Sequence, residues 1–144
     1  MIKYSELHCV SNFTFLKGAS YPEELVKQAE SLGYSAIALT DECSIAGVVK
    51  AHIAAKKCSL SLIIGSMFSI TDGPSIVLLA TNREGYGNLV RLITRARLAA
   101  KKGDYHLVRS EIHTIDISEC LGILISNPSP DIKKNIKARY KQLK

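Results

Sequence analysis

The sequence predicts an α/β domain built on a parallel sheet of roughly five βα units, and three observations carry that expectation. Apolar runs of strand length alternate with segments of helical period from Ile2 to Ser126. SAIALT (Ser35–Thr40) closes on a polar residue, as a strand buried on both faces does where it leaves the sheet. Of the 144 residues, 47% are apolar and 22% charged, enough for one domain with its own core.

Ile2–Leu7 reads as a first strand leading into a loop that holds His8. A helix follows at Tyr21-Pro22-Glu23-Glu24: Ser20 is placed to cap it, Pro22 suits its first turn, and the glutamates favour the positive end of its dipole. Leu25, Val26, Ala29 and Leu32 form its apolar stripe, and Gly33 ends it. Ser35–Thr40 is the second strand. Ile45–Lys57 is helical by period, with Val48, Val49, His52 and Ile53 as its apolar side. Leu60–Ile64 is a strand stopped by Gly65, and Met67–Ile70 extends it past a bulge. Asp72-Gly73-Pro74 marks a turn before the strand Ser75–Ala80. A long helix covers Asn82–Ala100, and Leu121–Ser126 is the last strand. Asn127-Pro128-Ser129-Pro130 breaks the pattern, and Asp131–Lys144 reads as a basic, amphipathic or frayed helix. The organisation is a domain over 1–127 followed by a basic tail over 128–144.

No apolar stretch approaches the roughly 20 residues that a membrane span needs. The N-terminus carries Glu6 and His8 where a secretory signal would be apolar, so the expected location is the cytoplasm. Cys9, Cys43, Cys58 and Cys120 form no CxxC pair and read as small buried hydrophobes rather than disulfides. Charge is lopsided. Residues 1–72 hold 6 basic and 7 acidic side chains, against 13 basic and 6 acidic in residues 73–144. The basic half fits an acidic partner such as nucleic acid, or a solvated face. Arg91, Arg95 and Arg97 on the long helix, then Lys101 and Lys102, are the candidate phosphate contacts, with Arg91 and Arg95 on one face.

In α/β sheets chemistry sits at the carboxyl ends of strands. That rule selects His8, then Asp41-Glu42-Cys43, then Gly65-Ser66-Met67, then Thr81-Asn82. His8 and Asp41 end adjacent strands and could converge on a metal or phosphate, or simply bond to each other or to nearby backbone. His52 reads as helix packing, and His106 and His113 as surface.

Several of these segments resemble the PHP family in order. Glu6–Ser20 (ELHCVSNFTFLKGAS) is similar to its first motif, a His-x-His, then a Ser or Thr, then an Asp-Gly pair. Thr40-Asp41-Glu42 resembles the second, Thr-Asp-His, and Ile64-Gly65-Ser66-Met67-Phe68 the third, which has a Glu two residues after its Gly. Leu78–Leu89 is similar to a helix-entry segment of the same family. The wording of ELHCVSNFTFLKGAS, TDECSIAGVV and LITRAR is nearest to the N-terminal PHP domains of bacterial DnaE-type polymerase α subunits of the error-prone branch.

The resemblance implies a PHP-type (βα) barrel, incomplete here because the family's barrel is larger, with open sheet edges that make the isolated chain marginal, aggregating or associating. It implies a parent enzyme that transfers nucleotides to a DNA primer in replication and damage-tolerant repair. This chain has no palm-like Asp-x-Asp pair for that reaction. It also implies a cluster of His, Asp and Glu around divalent metals for phosphoester hydrolysis. His8 and Asp41 match that cluster, and Glu42 stands for a His and could bind Mg²⁺ or Mn²⁺ through oxygen. Val10, Lys17 and Met67 replace a His, an Asp and a Glu. The expectation is a vestigial metal set of His8, Asp41 and Glu42, no cofactor in this chain (Mg or Mn were the site functional), and a structural role. The expected partners are the remainder of a polymerase α-type subunit and, indirectly, DNA. The alternative is a free-standing, metal-dependent PHP phosphoesterase.

Overall fold

The computed structural model describes residues 3–112, 114 and 116–125. The expected break at 127–130, the basic helix over 131–144 and His113 lie outside them. Five strands form one sheet in chain order: β1 (Ser5–Cys9), β2 (Ala36–Leu39), β3 (Ser61–Phe68), β4 (Ser75–Ala80) and β5 (Cys120–Ile125). Helices α1 (Pro22–Ser31), α2 (Val48–Ala55), α3 (Arg83–Leu98) and the short α4 (Arg109–Ile112) connect them. The result is an α/β half-barrel, the incomplete barrel that the sequence predicts.

The sheet is mixed rather than wholly parallel. β1, β2 and β3 run parallel through α1 and α2, in the register Ser5↔Ala36 and Ala36↔Ser61. β4 then runs antiparallel to β3, and β5 antiparallel to β4. The physical reason is connection length. Only residues 69–74 separate β3 from β4, whereas a parallel crossover needs about a dozen residues or more. The Asp72-Gly73-Pro74 turn therefore closes a hairpin, with the Gly73 N–H donating to the Ile70 carbonyl at 3.3 Å. Gly65 does not stop β3 but lies inside it. A Cβ there would come within 2.6 Å of Leu79 Cδ2 and 2.7 Å of the Leu78 carbonyl oxygen, so the missing side chain lets β4 close in.

Helix ends follow local chemistry with one difference in the caps. Tyr21, not Ser20, caps α1, and its N–H donates to Glu24 Oε2 at 2.9 Å. Asn82 caps α3 by accepting the Gly85 N–H at 2.9 Å. On α2 the inward face is Val48, Ala51, Ala54 and Ala55, while Val49, His52 and Ile53 face outward. His52 is thus exposed rather than packed. Small alanines let α2 approach α1 closely, and hydrophobic period alone underweights them against Val and Ile.

One face of the sheet meets the helices. Ile37 and Leu39 pack with Val26, Ala29, Val48 and Ala51, and Phe68 and Leu78 pack with Leu89, Leu92 and Ala96. Ala38, Val77 and Leu79 point to the other face with Ile63, Met67 and Ile123. No helix among the described residues is long and apolar enough to cross a membrane.

Candidate functional site

The parallel half of the sheet brings the carboxyl ends of β1, β2 and β3 together, and the polar residues there share one network. His8 is the fourth residue of β1, not part of the loop after it, and is exposed. Its Nδ1 lies 2.8 Å from Thr40 Oγ1. Thr40 in turn donates to the Cys9 carbonyl at 3.1 Å. The partner of His8 is therefore this threonine, neither a backbone carbonyl nor Asp41.

Asp41 follows β2 and is 1% exposed. Its Oδ1 accepts the Ser11 N–H at 2.8 Å and the Thr14 hydroxyl at 2.7 Å, and its Oδ2 accepts the Ser11 hydroxyl at 2.7 Å. All three donors come from the loop after β1. That loop folds back sharply: a Cβ on Gly18 would fall 1.9 Å from the Ser11 carbonyl oxygen, so only glycine fits. Thr14 Oγ1 also accepts the Glu42 N–H at 2.9 Å, tying the loop to both acidic residues.

Glu42 pairs with Met67 in a one-residue extension of the β2–β3 ladder. Its carboxylate forms an ion pair with Lys17 through Oε2, while Oε1 accepts from the Tyr105 hydroxyl at 2.7 Å and the Ser69 hydroxyl at 3.1 Å. Partial burial pushes the Glu42 pKa up, but hydrogen bonds from Lys17, Tyr105 and Ser69 outweigh it, and the net shift is downward. Desolvation leads the opposite change at Tyr105, which is pushed up to about 12 with the neighbouring Glu42 adding to the rise and Ser69 opposing it.

Arg97, a candidate phosphate contact by sequence, turns inward instead. Its guanidinium donates to the carbonyls of Cys43 (3.2 Å), Gly103 (3.3 Å), Asp104 (3.4 Å) and Glu42 (3.5 Å), and its Cζ lies 5.5 Å from the Tyr105 ring centroid. Beside it, burial raises the Cys43 thiol to about 11 although Arg97 pulls it down. Arg91, Arg95, Lys101 and Lys102 are exposed. Arg95 donates to Thr114 Oγ1 at 2.9 Å, and Arg91 to the Gly87 carbonyl at 3.4 Å.

Of the other sequence selections, Ser66 stays at this site and Thr81-Asn82 does not. Ser66 is buried in β3 and donates to the Asp41 carbonyl at 2.7 Å. Thr81 and Asn82 end the antiparallel β4, at the opposite end of the sheet, where they bond to Glu119. Ser69 and Tyr105 do not stand out in the sequence, and Ser11 does so only as the Ser or Thr that follows His-x-His in the first motif. Ser11 and Thr14 carried a faint signal, two hydroxyls beside His8, whereas Tyr105 reaches Glu42 from 63 positions away. Among the described residues, no three His, Cys, Asp or Glu side chains converge to hold a metal ion.

The chain matches the PHP domain over residues 6–132. It belongs to the PHP family. The family resemblance is thus borne out, as is its likeness to the error-prone branch. This PHP chain is 53% identical over 128 residues to the error-prone DNA polymerase of Methylococcus capsulatus. It is 52% identical over 141 residues to that of Ralstonia nicotianae. Each match covers 89% of this chain but only 12% or 13% of the relative, so the chain spans about an eighth of the length of these polymerases. Among solved structures, a protein provisionally described as a metal-dependent phosphoesterase from Bifidobacterium adolescentis superposes with a TM-score of 0.56 at 23% identity, over 67% of this chain and 34% of that one. An amidohydrolase from Chromobacterium violaceum gives 0.55 at 24% identity, over 66% and 34%. These two likenesses show the shared fold.

Proposed function

We propose that this PHP chain is the N-terminal, non-catalytic portion of an error-prone DNA polymerase, a scaffold for a nucleotidyl-transfer reaction carried elsewhere in a longer cytoplasmic protein engaged in replication and damage-tolerant repair. Residues 1–127 form its PHP portion and 128–144 a basic extension. The observation that carries the reading is the state of the two carboxylates. Asp41 spends its lone pairs on three internal donors, and Glu42 is neutralised by Lys17. A divalent cation would have to displace those donors and lie beside an ammonium group, with Val10 and Met67 offering no hard oxygen ligand. His8, Asp41 and Glu42 therefore do not fit a metal, and the set reads as a relic that now pins the loop after β1 to the sheet.

Calorimetric titration with Mn²⁺ and Mg²⁺, with metal analysis of the purified chain, tests this. No saturable binding is expected. Stoichiometric Mn²⁺ that disappears in His8→Ala, accompanied by phosphoesterase turnover, would instead establish the free-standing phosphoesterase. The exposed Arg91, Arg95, Lys101 and Lys102 serve, in this reading, as salt-dependent contacts to DNA phosphates. A single-stranded oligonucleotide whose affinity is insensitive to salt and to their removal would exclude that role.

A further inference from the structure

The outer surface of the α1–α2 pair carries a groove with no part in the network around Asp41. Glu23 and Lys27 of α1 face Lys50, Ile53 and Lys57 of α2 and the segment after it, around a cavity of about 310 Å³. Its apolar side is not covered: Ile53 is 54% exposed, and Val49, one turn earlier on α2, is 66% exposed. Its rim is cationic. Among the described residues no carboxylate forms an ion pair with Lys27, Lys50 or Lys57. Lys50 is held in place, its ammonium 5.7 Å from the Phe13 ring centroid and 5.6 Å from that of Tyr21. Holding it there reduces the entropy lost when a ligand engages it.

We propose that this groove docks an acidic amphipathic peptide segment of a partner protein. The segment's carboxylates meet Lys27, Lys50 and Lys57, and its apolar side chains lie on Ile53 and Val49. Charge complementarity selects the acidic partner, and the apolar ridge separates it from a nucleic acid. A phosphate backbone makes no use of Val49 and Ile53.

Fluorescence anisotropy of the full chain with a fluorescein-labelled amphipathic peptide of Glu, Leu and Ala is the test. Lys27→Glu/Lys57→Glu is expected to weaken binding by about tenfold, and Ile53→Ser by at least severalfold. The charge-matched control Lys3→Glu/Arg83→Glu, outside the groove, leaves binding unchanged. Ile53 is exposed, so its variant folds, and circular dichroism of each variant checks this. Three results overturn the proposal. The first is peptide affinity no better than that of a Lys-for-Glu version. The second is loss in the lysine variant with none in Ile53→Ser, which reduces the effect to unspecific charge. The third is an oligo(dT) probe that binds more tightly than the peptide with the same variant sensitivity, which makes the surface a nucleic-acid site.

Discussion

Replacing Asp41 with alanine separates a structural carboxylate from a metal ligand. The substitution removes three hydrogen bonds at 2.7–2.8 Å and strands their donors at Ser11 (0% exposed) and Thr14 (5% exposed). A hydrogen bond to a charged group contributes about 1.5–3 kcal/mol net, so the simple sum is about 5–9 kcal/mol. Water entering the vacated space and the two hydroxyls turning to each other recover part of it, and single substitutions rarely exceed about 5 kcal/mol. The expected loss is therefore about 3–5 kcal/mol, a fall in Tm of roughly 10–15 °C for a chain of this size. Asp41→Asn keeps an acceptor at one position and turns an NH₂ toward a donor at the other, so about half that loss is expected. Urea unfolding followed by circular dichroism measures both, with and without Mn²⁺. A loss below about 1 kcal/mol for Asp41→Ala would refute the structural assignment. So would a wild-type midpoint that rises with Mn²⁺ while the variant's does not, since a bound ligand stabilises the folded state by mass action.

Further outcomes follow from the same geometry. Glu42 has a folded-state pKa below its ordinary value of 4.5, so its contribution is present above that value and is lost as pH falls through the lower folded value. Glu42→Gln should flatten this acid limb, and an unchanged limb in urea midpoints would place the titrating group elsewhere. Tyr105 is raised to about 12, so its stabilising effect holds below pH 10 and fades as pH rises towards 12; the latest-ionising phenol in an ultraviolet titration should vanish in Tyr105→Phe. Arg97→Ala should cost about 2–4 kcal/mol, with little rescue by Lys, because a point charge cannot reach several carbonyls at once. At the sheet edge, β5 pairs with β4 alone among the described residues and exposes Leu121 and Leu124. Leu124→Lys should reduce concentration-dependent light scattering, and equal scattering would assign aggregation to another surface.

How much of this was legible beforehand differs from element to element. α1 and α3 were readable because their stops and starts are local: Pro22 and Glu24 at one end, Gly33 at another, and Asn82 three residues before Gly85. The buried face of α2 was misread, because three alanines carry little hydrophobic signal yet pack closest. The direction of β4 was also misread, although the short 69–74 connection already excluded a parallel crossover.

By itself the sequence determined the family and the alternation of strands and helices. Those features depend on residue identity and order along the chain. Tertiary structure alone decided what the polar residues do. It brought Ser11 and Thr14 onto Asp41, Lys17 and Tyr105 onto Glu42, and turned Arg97 inward to the carbonyls of residues 42 and 43. The reason is physical: a buried carboxylate must find donors wherever the fold supplies them, and here they come from 25 to 63 positions away, a separation that no local pattern encodes.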